Sequence, residues 1–134
     1  MTMVLAEVIH LASTAAMVGV IWIVQLVHYP GFRYVEAAKF KEFSLFHQKM
    51  ITFIVGPLML LEFLSGLYLL PTSQLNFQVS MVMLILIWLS TFFFSVREHN
   101  ILLSGKDDES ITRLVKTNWI RTLLWSGRFI LLLL

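Results

Sequence analysis

Four apolar stretches, at roughly residues 5–28, 48–70, 77–96 and 117–134, dominate this 134-residue chain. At a rise of about 1.5 Å per residue, each is long enough as a helix to cross about 30 Å of hydrocarbon. A chain this short leaves much of its surface in contact with its surroundings. With 58% hydrophobic and only 13% charged residues, it has too little polar material to face water on that surface. A bilayer is the solvent that fits, and helices satisfy their own backbone hydrogen bonds at that depth. The expectation is an all-α integral membrane four-helix bundle of up-down-up-down order. It forms one domain over 1–134, with helices at about 4–29, 38–70, 77–103 and 108–134.

The breaks between the stretches carry recognisable punctuation. "HYPGF" at 28–32 should end the first helix, because Pro30 lacks an amide hydrogen and Gly31 follows it. "LLPTSQLNF" at 69–77 reads as a tight turn. "LLSGKDDES" at 102–110 supplies a stop at Gly105 and a helix start at Asp107 or Asp108. "EAAKFKEFSLF" at 36–46 alternates charge with phenylalanine, as an interfacial lead-in to the second helix does. The opening segment has no basic run before its apolar core and carries Glu7 and His10 within it, so it reads as a retained helix and not as a signal peptide.

Basic residues set the orientation. Arg33, Lys39, Lys41, Lys49, Arg97, Lys106, Arg113, Lys116 and Arg121 flank the first and third connections, whereas the 71–76 turn has none. The positive-inside rule then puts both termini outside, as in a protein of the bacterial inner membrane. The basic residues are interleaved with Glu36, Glu42, Glu98 and Asp107–Glu109, and the net charge is only +2, so no nucleic-acid partner is implied.

Polar residues inside the apolar stretches mark the candidate site. His28, His47 and His99 fall at the cytoplasmic ends of three different helices, and Asn118 and Arg121 open the fourth. Facing helices of a bundle can bring such residues to one metal or cofactor, which makes the three imidazoles candidate metal ligands. Alternatively, they meet headgroups and water at the interface, since none of the three belongs to an HxxxH or ExxH pair on its own helix. Glu62 and Arg128 lie deeper, about 18 Å and about 16 Å from the same boundary. Opposite charges at one level of a bilayer should pair, because an unpaired one is costly there. Asn118, Arg121, Trp125 and Arg128 follow one another at steps of three and four residues and so share a helix face, which is expected to look inward. That pair either serves a ligand or only fixes helix register.

On the first helix, His10 sits near the outer boundary, where it either ligates a haem iron or is simply interfacial. Trp22 and Gln25, a turn or so from His28, are candidates to line a cofactor cavity. Ala12, Ala15, Ala16 and Gly19 offer a small surface for close helix approach. The methionines form no paired MxxM ladder and read as gap-filling or lipid-facing. The absence of cysteine excludes thiolate metal sites, disulfides and CxxCH haem attachment.

Taken together, "WIVQLVHYPGF", "FHQKMITFIVGPLMLLEFLSGL", "EHNILLSGKD" and "LVKTNWIRTLLWSGR" resemble small four-helix bacterial membrane proteins of uncharacterised function. Asn118, Trp119, Arg121 and Thr122 are similar to a pattern near the start of the last helix in the anthrone-oxygenase-like membrane family. His10, Trp22, Pro30 and "GPLMLLEFLSGLYLL" more faintly resemble the four-helix, haem-binding type of protoporphyrinogen oxidase. The resemblance implies a membrane oxidoreductase that uses haem or a His-ligated transition metal on a lipophilic small-molecule substrate. In that reading Arg121 and Asn118 hold an acidic or carbonyl group, and Glu62 with Arg128 tunes the site. The alternative is a non-catalytic subunit, in a larger membrane complex or a homo-oligomer, that docks a pigment or partner. A proton or transport path along Glu62 and Arg128 is a third reading, without the broken helices or inverted repeat such paths use.

Overall fold

The computed structural model describes residues 2–134, and among them there is no β-strand. Four helical runs account for nearly all of it: α1 over Met3–Tyr34, α2 over Ala37–Thr72, α3 over Leu75–Leu102 and α4 over Asp108–Leu133. The first three are long and apolar enough to cross a membrane. The α4 helix begins with a charged segment, including Asp108, Glu109, Arg113 and Lys116, before its apolar part.

Local chemistry sets the boundaries. Leu5 N–H donates to Thr2 Oγ1 at 3.3 Å to cap α1, and Ser110 N–H donates to Asp107 Oδ2 at 2.8 Å to cap α4. Gly105 takes a φ of +151° in the connection before Asp107, a backbone state that side chains disfavour. Lys106 Nζ reaches across to the carbonyls of Arg33 and Val35 at 2.7 and 2.9 Å. The α1–α2 and α3–α4 connections are thereby tied together at what we term the basic end of the bundle.

The structure corrects one boundary. "HYPGF" does not terminate α1: the chain passes through a π-helical turn at Val24–His28 and a short helical turn at Tyr29–Gly31, and ends in a 3-10 turn at Phe32–Tyr34. Pro30 offers no N–H to the preceding turn, and widening that turn re-pairs the backbone: Tyr29 N–H donates to Val24 O, five residues back. A second π-helical turn, Thr91–Val96, widens α3.

α1 packs against α2 and α4, and α4 packs against α3. Between α2 and α3 the contacts are local. Gly66 lies against Met81, Phe63 meets Trp88 with ring centroids 5.7 Å apart, and His47 meets His99 at 5.3 Å. Between the last two the bundle is open on one side. Outward faces carry large apolar side chains such as Leu26, Val27, Phe53, Phe92, Phe93 and Leu123. In lipid such residues lose little by staying outside, so polar contacts and close packing decide which faces turn in.

Candidate functional site: two buried arginines and a side-opening cavity

The inward stripe of α4 is present as the spacing requires. Asn118, Arg121, Trp125 and Arg128 are all buried. The two arginines, seven residues apart, meet different surroundings.

Arg128 is enclosed. Its Nη1 donates to Glu62 Oε1 at 2.6 Å, and its Nε reaches the carbonyl and hydroxyl oxygens of Ser80 at 3.1 and 3.2 Å. Trp125 Nε1 donates to the same carboxylate at 3.2 Å. Neither Glu62 nor Arg128 has exposed side-chain surface. His10 is the further member of this group: Arg128 Nη2 lies 3.2 Å from His10 Nε2. Guanidinium nitrogens only donate, so Nε2 accepts. The ring proton therefore sits on Nδ1, which is 3.0 Å from both Glu62 O and Ser65 Oγ. His10 is thus buried, with both ring nitrogens engaged within the protein. Its burial was hidden in the sequence because the residues that meet it, Ser65, Phe77 and Arg128, come from other helices.

Arg121 is placed differently. Its Nη2 donates to Asn118 Oδ1 and lies 3.4 Å from Tyr29 Oη. Its Nε has no partner, and among the described residues no carboxylate pairs with it. Asn118 is held by its own amide, which donates to Gln25 Oε1 at 2.8 Å, while Gln25 Nε2 donates to Val115 O at 3.2 Å. Gln25 and Asn118 therefore brace α1 against α4 and aim the guanidinium; neither is among the residues lining the large cavity. Trp22 is also away from the cavity. It is partly exposed, donates to Ser126 Oγ at 3.1 Å and packs edge-on against Trp119.

The three imidazoles expected at the basic end are neighbours. His28 Nε2 and His47 Nδ1 share a hydrogen bond at 2.6 Å, and His99 Nε2 lies 3.0 Å from Tyr29 Oη. Ring nitrogens of His28, His47 and His99 bond to each other and to Tyr29, and among the described residues no three His, Cys, Asp or Glu side chains are disposed to hold a metal ion. Around them Phe32, Phe40 and Phe43 form an aromatic packing layer.

The open side leads into a cavity of about 1020 Å³. Its long walls are apolar, with Met17, Ile21, Val55, Met59, Trp88 and Trp125 among them, and its rim includes the exposed Leu60 and Phe92. Its polar lining comprises the buried Tyr29, Ser95, His99 and Arg121 and the more exposed Gln48, Lys49, Thr52, Thr91 and Asn100. Four side chains lining this space have a buried polar atom with no protein partner: Trp88 Nε1, Ser95 Oγ, His99 Nδ1 and Arg121 Nε. Tyr29 Oη accepts from Arg121, so the arrangement that strands no hydroxyl proton has it donating to His99 Nε2. His99 then carries its own proton on Nδ1. Every one of the four unpartnered atoms is thus able to donate, and the arginine and indole nitrogens can do nothing else. A wall of unanswered donors asks for acceptors from a ligand.

Sequence reasoning missed Tyr29 and both π turns, while Ser95 falls in the sequence one turn before His99 on the third helix. Tyr29 follows one π turn and Ser95 lies within the other. Their inward orientation depends on wide turns that a 3.6-residue period does not anticipate. No protein-family model matches the chain, and neither a curated protein nor a solved structure is similar to it. Fold and site together describe an all-helical protein, with three helices fit to span a membrane, enclosing a cavity that is apolar along most of its wall.

Proposed function

We propose that this chain is an integral membrane protein of up-down-up-down topology, its basic end facing the cytoplasm of a bacterial inner membrane and both termini outside. Its function is to bind a lipophilic small molecule that enters sideways from the bilayer between α2 and α3. The observation that carries the reading is the cavity of about 1020 Å³, which has apolar walls and an open apolar rim where two membrane-length helices part. Its volume is that of a site for a whole small molecule, at the upper end of the usual range of about 300–1,000 Å³. Binding is the part of the oxidoreductase reading that the geometry supports. The cofactor half lacks that support, because His10 is engaged by Arg128, Glu62 and Ser65, and among the described residues no three His, Cys, Asp or Glu side chains are disposed to hold a metal ion.

Gly56 lines this cavity and a Cβ built on it meets only open space, so Gly56→Trp should fill the site without straining the helix. Native mass spectrometry of the detergent-solubilised protein with oleyl alcohol as the neutral probe should show a one-to-one adduct that Gly56→Trp sharply reduces. No adduct, or one that Gly56→Trp leaves unchanged, would remove the basis for the reading.

A further inference from the structure

Both buried arginines are surrounded by apolar helices, yet only one has its counter-charge. Arg128 has Glu62 at 2.6 Å, and the remaining atoms of that group are engaged by Ser80, Trp125 and His10. Arg121, 93% buried by its 7% exposure, lines the large cavity, has no carboxylate partner among the described residues and keeps its Nε unpartnered. A guanidinium cannot shed its charge at any ordinary pH, and holding it uncompensated in a low-dielectric site is expensive. Asn118 and Tyr29 orient it with neutral oxygens, which fixes the geometry without cancelling the charge. Beside it, His99 and Ser95 add further donors and no fixed negative charge.

From this we infer that the occupant of the cavity is a lipophile ending in one monoanionic oxygen head group, a carboxylate or a phosphodiester, whose charge pairs with Arg121. The inference rests on the proposed lipophile-binding function and names its ligand class. A single buried cation calls for a single negative charge. The head accepts from Arg121 Nε, with Ser95 Oγ and His99 Nδ1 as supporting donors, and the chain lies along Met17, Val55 and Met59 toward the opening.

The test compares three probes of equal acyl length on the full chain in mild detergent: oleate, oleoyl lysophosphatidylglycerol and oleyl alcohol. An anionic head should bind at least about tenfold more tightly than the alcohol, since a charge-assisted hydrogen bond in a buried site contributes that much. Oleate alone exceeding the alcohol identifies a carboxylate, lysophosphatidylglycerol alone a phosphodiester, and both together a site that reads charge before head shape; each outcome supports the inference. Arg121→Gln should bring the anionic probes to within about twofold of the alcohol, and Arg121→Lys should keep part of the preference. If the wild-type protein binds all three probes equally, or Arg121→Gln retains the preference, the inference fails while lipophile binding stands. The wild-type comparison decides the matter even if a variant does not fold. Binding of no probe at all would defeat the underlying function together with it.

Discussion

Replacing Glu62 by glutamine probes the enclosed charge group with almost no change of shape. The carboxylate accepts from Arg128 Nη1 at 2.6 Å and from Trp125 Nε1 at 3.2 and 3.3 Å. An amide has one acceptor oxygen, so its NH2 must face one of these donors, and the arginine charge is left without a partner. Removing one member of a buried pair costs about 3–5 kcal/mol in proteins. The unfolded chain in a micelle also finds polar partners, which places the expected loss near the lower end, about 3 kcal/mol. The assay is reversible unfolding in mixed micelles with Glu62→Gln, Arg128→Met and the double variant. Each single change should be strongly destabilising, and the double change should cost much less than their sum. Single changes costing under about 1 kcal/mol with no coupling would refute the view that this pair anchors the bundle.

Other positions give independent checks. A Cβ at Gly66 would run into the Met81 thioether and come within 3.0 Å of His10 Cε1, so Gly66→Ala should cost about 1–3 kcal/mol of unfolding free energy, and Met81→Ala in the same chain should recover part of it. Gly105→Ala forces a side chain into a φ of +151° and should lower the unfolding midpoint, at a cost of about 1–3 kcal/mol, where Ser104→Ala does not. The Ser110 hydrogen bonds hold the Asp107 carboxyl below its ordinary value of 3.8. The cap they form is therefore fully present above that value and is lost as pH falls through the lower, folded one. Hydrogen-exchange protection at residues 109–112, relative to the intrinsic rate at each pH, should fall in Asp107→Ala near neutral pH, and the wild type's protection should drop to the variant's only at strongly acid pH.

The fold was legible wherever a period or a run carries it. Long apolar stretches give the helices, and steps of three and four place Asn118, Arg121, Trp125 and Arg128 on one buried face. Matching depths of Glu62 and Arg128 give their pairing, because charge in hydrocarbon leaves few alternatives. Illegible were the features that depend on widened turns or on several helices at once. Pro30 reads as a stop, yet a π turn absorbs it and the helix goes on to Tyr34. His10 reads as interfacial because nothing nearby in sequence reveals the arginine 118 residues away. Trp22 and Gln25 share a neighbourhood in sequence but not a role: one packs outward against Trp119, and the other bridges to Asn118. That Arg121 goes without a counter-ion is visible only once every carboxylate has a position.

The central claim is that one of the two buried arginines of α4 is answered from within the protein and the other by a bound anion. The most direct measurement is a carbon–nitrogen dipolar recoupling experiment by solid-state NMR, on the protein in lipid with carboxyl-13C oleate and 15N-labelled arginine. The account predicts dephasing that places the carboxyl carbon within about 4–5 Å of a guanidinium nitrogen, the separation of a hydrogen-bonded ion pair, and predicts that Arg121→Gln abolishes it. Absence of dephasing with oleate bound, or its survival in Arg121→Gln, would contradict the account.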